Sequence, residues 1–140
     1  MPTLYTTGKR IDHYQIMRPL GRGGASHVYL AKVRHALQEV VLKFPDDAVI
    51  GGAAVYERYK REAEIGRRLS HPYIQRHLNQ GERRSAEYLV LEYMRGRTLR
   101  TVAEKGAPAI LPTGEVLRML IQVCSALAYA HERGVIHRDI

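Results

Sequence analysis

A glycine-rich turn, Leu20-Gly21-Arg22-Gly23-Gly24-Ala25-Ser26-His27-Val28, is set between two apolar, alternating segments. Glycine has no Cβ, so it permits φ > 0 and lets backbone N–H groups approach an anion closely. Gly21 and Gly23 stand where such contacts would form, and the stretch reads as a cover for a phosphate. By itself a glycine cluster equally marks an ordinary hairpin turn. Three later residues change the weighing. Lys43 emerges from the apolar run Val40-Val41-Leu42, 22 positions after Gly21. Glu62 borders the apolar stripe of a helix 19 positions further on, and Asp139 closes the tripeptide His137-Arg138-Asp139.

The elements that must position them follow from periodicity. Residues 1–13 are polar and loosely held apart from an apolar contact by Leu4 or Ile11. Tyr14 to Leu20 is a first strand. From His27 to Val33, Val28 and Leu30 share one face and Tyr29, Ala31 and Val33 the other. In Glu39 to Phe44, Val41 and Lys43 face one side and Val40, Leu42 and Phe44 the opposite one, and Pro45 ends the strand. Gly51-Gly52 leads into a helix over Ala53 to Leu69 with the stripe Val55, Tyr59, Ala63, Gly66 and Leu69. Ile74 to Leu78 is a short strand, Gly81 to Ser85 a polar turn, and Glu87 to Met94 a strong strand. Thr98 to Glu104 is a short helix and Gly106 to Pro112 a loop. Thr113 is the expected N-cap of a long helix reaching about Arg133, whose apolar face includes Leu117, Leu120, Ile121, Cys124, Leu127 and Ala128. Gly134 ends it, and residues 135–140 are extended. Five strands with one helix, followed by helices, imply two lobes of an α+β fold.

Composition narrows the function classes. A chain of 140 residues with 45% apolar and 26% charged residues suits one globular domain or a lobe of a larger one. No apolar run is long enough for a membrane span and no signal peptide is evident, so a cytoplasmic location is expected. The net charge of +8 is spread among acidic residues rather than gathered in a patch, which argues against nucleic acid as a partner. The seven histidines show no metal-ligand spacing, so no protein-built metal site is expected. The lone Cys124 occupies an apolar helical position and reads as a small buried side chain.

Taken in order, the glycine turn, Val40-Val41-Leu42-Lys43, Glu62 and His137-Arg138-Asp139 resemble the first half of a eukaryotic-type protein kinase domain, of the bacterial serine/threonine flavour, over about residues 12–140. The resemblance implies a five-stranded antiparallel N-lobe sheet with one main helix over residues 14–94, after an N-terminal tail at 1–13. Residues 95–140 would be the hinge and the first helices of an incomplete helical C-lobe. It implies ATP and Mg²⁺ as cofactors and a protein substrate presenting Ser or Thr hydroxyls. Lys43 would hold the α- and β-phosphates, Glu62 would pair with Lys43 and orient it, and Asp139 would accept or orient the proton of the substrate hydroxyl. Gly21, Gly23, Gly24 and Ser26 would cover the phosphates. Leu20, Val28 and Val41 would sandwich adenine with Leu91 behind it, Glu92 and Met94 would bond its edge through main chain, and Thr98 would meet the ribose. His137 would be structural, and Arg138 would receive an activation-loop phosphate.

The sequence departs from that pattern at several places. Ser26 replaces the third glycine, Val41 a more usual alanine, and Gly66 and His77 larger or more apolar residues that would fasten the helix to the sheet; the last two weaken the expectation that this helix holds its active position. The asparagine of the catalytic loop and the Asp-Phe-Gly metal-binding segment do not occur before Ile140. The metal ligands would therefore lie beyond it, and the 140 residues by themselves are expected to be inactive. The apolar face of the 114–131 helix is expected to need a missing C-lobe or a partner to cover it. The competing reading is a truncated pseudokinase acting as a nucleotide-binding or interaction module.

Overall fold

The computed structural model describes residues 5–23, 26–46, 53–78, 84–104 and 111–138. Its elements are β1 (Arg10–Ile11), β2 (Tyr14–Gly23), β3 (Ser26–Val33), β4 (Glu39–Pro45), α1 (Ala53–Arg68), β5 (Leu89–Glu92), α2 (Leu99–Glu104) and α3 (Thr113–Glu132). The chain divides into two compact units, residues 1–70 with 75–93, and residues 71–74 with 94–140.

In the first unit the five strands form one sheet in the order β1-β2-β3-β4-β5, every neighbouring pair antiparallel. Period-two patterning sorts their side chains as expected. Tyr29, Ala31, Val40, Leu42, Phe44 and Val90 point to one face and make the larger core with Ile11, Tyr14, Ile16 and Tyr88. The aromatic rings there meet at tilted or edge-to-face angles, with Phe44 centred 5.1 Å from Tyr88 and 5.9 Å from Tyr29. Each such fully buried large side chain contributes about 1.5–3 kcal/mol. On the opposite face Val41, Leu89 and Leu91 receive Tyr59 and Ala63 of α1. That contact is what seats the helix.

Several boundaries differ from the periodicity. Ile11 is buried, because Arg10–Ile11 pairs with Tyr14–Gln15 as an extra edge strand. β5 covers four residues instead of the expected Glu87 to Met94, its antiparallel ladder with β4 running only from Val40–Glu92 to Lys43–Leu89. Ile74 to Leu78 is not a strand. It touches the sheet through one bridge, His77 with Leu91, and through the Leu78 N–H to the Val90 carbonyl at 2.8 Å. The Gly51-Gly52 connection, most of the turn over 81–85 and most of the loop over 106–112 lie outside the described residues, as does Leu4.

The turn after β1 is fastened to the start of β5. Tyr88 Oη donates to Asp12 Oδ2 at 2.5 Å, and the Ser85 N–H reaches Asp12 Oδ1 at 3.2 Å. Burial pushes the Asp12 carboxyl up, but these donors together outweigh it and hold the group below its ordinary value of 3.8. A carboxylate depressed in the folded state adds stability above its unfolded value and loses that contribution as pH falls through the folded one. Tyr88→Phe is expected to lower stability by about 1–3 kcal/mol at pH 7. Below pH ~3.8 the deficit should shrink, because the protonated acid no longer distinguishes the two proteins. Urea unfolding at pH 7 and pH 3 checks this; an equal deficit at both would refute the ionic tie.

In the second unit, Thr98 caps α2, its Oγ1 accepting the Thr101 N–H at 3.1 Å. α3 begins differently from the expectation. Pro112 is the N-cap, with no side-chain cap bond, and Thr113 is already helical. At the other end Gly134, with φ 71°, closes a Schellman motif in which the Gly134 N–H reaches the His131 carbonyl and the Val135 N–H the Ala130 carbonyl, both at 2.9 Å. The apolar face is largely open among the described residues, Leu117 being 54% and Ile121 68% exposed. Cys124 is exposed as well, contrary to the expectation of burial, because that face has little packed against it. Ser125 and Tyr129 instead meet His71, at 3.3 Å between Oγ and Nε2 and 5.1 Å between rings.

Candidate active site

Strand register gathers the predicted residues of the first unit. Gly21 lies opposite Val28, Val28 opposite Lys43, and Lys43 opposite Leu89; Val41 lies opposite Leu91. Directly opposed side chains share a face and alternate positions repeat it, so Val28, Val41, Lys43 and Leu91 project together from the side that carries α1. α1 turns Glu62 toward this row. Lys43 Nζ stands 2.5 Å from Glu62 Oε1, with the lysine side chain 25% and the glutamate 46% exposed. At that exposure the pair adds little to stability, about 0–1 kcal/mol. Its consequence is geometric: it aims the amine.

The glycine turn is extended rather than left-handed at Gly21, which has no positive φ. A Cβ built there would meet nothing within 4 Å, so the backbone is open to an approaching group. Leu20, 36% exposed, sits where the β2–β3 register shifts between Pro19 and Gly21, and Ser26 is buried. Gly24 lies outside the described residues. Asp46, just past β4, meets a residue on each strand of the hairpin, Arg22 Nη2 at 2.5 Å and His27 Nε2 at 3.6 Å. This polar cluster was not legible in the sequence, since its members are exposed-looking polar residues distant in the chain.

Two features of the site correct or refine the expectation. Gly66 and His77 do not leave the helix loose. A Cβ at Gly66 would fall 2.0 Å from His77 Nε2, so the imidazole occupies the volume that any larger residue on α1 would need. Burial lowers the His77 pKa; Lys43 and Arg67 lower it further and Glu62 opposes them. The ring is therefore neutral at neutral pH and packs as a flat, uncharged wedge. The sequence signal was the pair itself, a deletion of volume on the helix matched by a ring on the neighbouring segment. The Glu92 carbonyl, expected at the adenine edge, already accepts a 2.7 Å bond from Gln75 Nε2, which leaves one lone pair. The Arg76 Nε–H, 3.2 Å from Glu92 Oε2, leads the interactions that hold the Glu92 carboxyl below its usual range.

Met94, Thr98, His137 and Arg138 belong to the second unit. Met94 is exposed, and the Thr98 hydroxyl is engaged in capping α2. Arg138 has φ 65°, a conformation that costs a non-glycine residue about 1–3 kcal/mol. Asp139 lies outside the described residues. Among the described residues no group of three His, Cys, Asp or Glu side chains could hold a metal ion, and no helix is long and apolar enough to cross a membrane.

Comparison with known proteins agrees with this geometry. The family model for the protein kinase domain matches residues 14–140. The serine/threonine-protein kinase PrkC of Bacillus subtilis is 37% identical over 134 residues, 95% of this chain and 20% of the relative. PknB of Mycobacterium leprae, also a serine/threonine-protein kinase, is 32% identical over 133 residues, 92% of this chain and 21% of its own length. The crystal structure of the Mycobacterium tuberculosis PknI kinase domain superposes with a TM-score of 0.77 at 32% identity, covering 97% of this chain and 54% of that one. The chain thus spans about a fifth of the length of those two curated relatives and about half of the solved domain. A glycine hairpin, a strand lysine aimed by a helix glutamate, and a family match over nearly the whole chain converge on one assignment: this chain belongs to the protein kinase family, with serine/threonine kinases as its relatives.

Proposed function

We propose that the chain is the ATP-binding part of a serine/threonine protein kinase that transfers the γ-phosphate of ATP to Ser or Thr hydroxyls of a protein substrate. The observation that carries this reading is the 2.5 Å pair of Lys43 with Glu62 beside the open backbone of Gly21. Phosphoryl transfer asks chiefly for positioning and for positive charge around the transferring group. Lys43 supplies a directed cation to the α- and β-phosphates, and the hairpin over Gly21, Gly23, Gly24 and Ser26 covers them from above. Val28, Val41, Leu20 and Leu91 offer the apolar surface for adenine. The second lone pair of the Glu92 carbonyl, the main chain of Met94 and the Thr98 side chain are assigned to its polar edges and the ribose. Asp139 is assigned to the substrate hydroxyl. Mg²⁺ carried by ATP would neutralise developing charge, and the described residues provide no carboxylate set for it.

The test is transfer from γ-labelled Mg·ATP by the protein as its gene encodes it, followed by phosphoamino-acid analysis. Label on serine or threonine is the expected result. Label on tyrosine alone, or ATP binding with no transfer under any activating condition, would overturn the reading, the latter in favour of a non-catalytic nucleotide-binding module.

A further inference from the structure

Two glycines leave the far end of β2 with little to pack. Gly21 offers no side chain to the face that carries Lys43, and a Cβ built there would meet nothing within 4 Å. β1 reaches β2 only at Tyr14 and Gln15, so among the described residues the stretch 21–23 has one ladder partner, β3. Backbone held from one side and without packed side chains opens more readily than the rest of a sheet.

A further tie on this hairpin lies on the opposite face. Val28 stands opposite both Gly21 and Lys43, which puts that row on the side of α1. In the next row Arg22 stands opposite His27 and His27 opposite Phe44, and Phe44 is buried in the larger core on the other side of the sheet. Asp46 follows Phe44 by two residues and meets this second row: its Oδ2 lies 2.5 Å from Arg22 Nη2 and 3.6 Å from His27 Nε2. One carboxylate thus reaches both strands of the hairpin from a position that Phe44 anchors in the core. The Arg22 side chain is 50% exposed, so the contact adds little to global stability. Its effect is local, on where the far end of β2 stands relative to β3 and β4.

We propose that Asp46 is a positioning residue for phosphate binding: by tying Arg22 of β2 to the end of β4 on the face away from Lys43, it holds the backbone of Gly21 and Gly23 at the height where it meets the phosphates of ATP. The inference rests on the reading of the hairpin as a phosphate cover and adds to it the residue that sets its height. A strand end fixed in advance needs less ordering when the ligand arrives, so the benefit falls on the phosphates. Adenine and ribose do not use this backbone and gain nothing from it.

The test measures the binding of Mg·ATP and of adenosine by calorimetry, to the protein as its gene encodes it. Asp46→Asn and Asp46→Ala should each weaken Mg·ATP about three- to fivefold, the most that a half-exposed ion pair transmits, and leave adenosine affinity unchanged. Arg22→Ala should match them, and the Arg22→Ala, Asp46→Ala double variant should bind ATP no more weakly than either single one, as for two residues acting as a unit. Damage to the sheet would weaken both ligands alike, and equal losses of ATP and adenosine would overturn the proposal. Tighter ATP binding by Asp46→Ala would overturn it as well, by showing that Asp46 withholds Arg22 from the phosphates. If the parent protein binds ATP more tightly than adenosine and the variants match it, this proposal fails alone. If the parent binds ATP no better than adenosine, the hairpin is no phosphate cover and both readings fall.

Discussion

In the protein as its gene encodes it, Lys43→Ala is expected to reduce phosphoryl transfer by at least about a hundredfold while leaving the folded state nearly as stable as before. The two effects separate because they depend on different properties of one contact. The 2.5 Å pair with Glu62 is partly open to water, where opposite charges attract weakly, so its loss costs about 0–1 kcal/mol of stability. In the proposed nucleotide complex the same amine would face phosphate charge with most water excluded. Removing one preorganised electrostatic partner from such a site lowers turnover by about 10²–10³. Lys43→Arg should not restore the rate, because a planar guanidinium on a longer stem cannot keep both the Glu62 contact and the phosphate contact in this geometry. Rates with saturating Mg·ATP and a thermal melt of each variant decide the matter. Activity within a few-fold of the parent would remove Lys43 from the mechanism, and a large fall in melting temperature would recast it as structural.

Gly66→Ala should be harmful despite alanine's advantage of about 1 kcal/mol in a helix interior. The new Cβ would fall 2.0 Å from His77 Nε2, well inside contact distance, so the ring or the helix has to move. Overpacking of this kind costs about 1–3 kcal/mol. Glu62 lies one turn before Gly66, so a displaced α1 also carries its carboxylate away from Lys43, and turnover should fall along with stability. His77→Ala in the Gly66→Ala background removes the obstruction and should recover much of both. A double-mutant cycle measures the coupling directly, and a value of about 0.5–3 kcal/mol is expected for residues in contact. Strictly additive effects would mean that the ring does not fill the glycine notch.

Local sequence pattern was enough to assign the faces of the sheet and to single out Lys43 and Glu62 as a pair. Alternation through His27–Val33 and Glu39–Phe44 forced Val41 and Lys43 to one side and Val40, Leu42 and Phe44 to the other, because side-chain direction in a strand is a local property of the backbone. The stripe through Tyr59 and Ala63 likewise oriented α1, and Glu62 beside it followed. The left-handed Gly134 ending α3 was also legible, since the need for φ > 0 is written in one residue.

Other features depend on surfaces distant in the chain. β5 ends at Glu92, where its ladder with β4 stops at Val40, and no residue of β5 encodes that limit. Thr113 is a good capping residue by type, yet the helix begins one residue earlier than a Thr113 cap would place it. Asp12 is an ordinary turn residue until Tyr88, 76 positions away, donates to it. Gly66 and His77, each a weakness when considered alone, become complementary once α1 lies against the segment that bridges to Leu91. Periodicity reports which way a side chain points; whether another side chain occupies the space it points into is settled only when the elements pack.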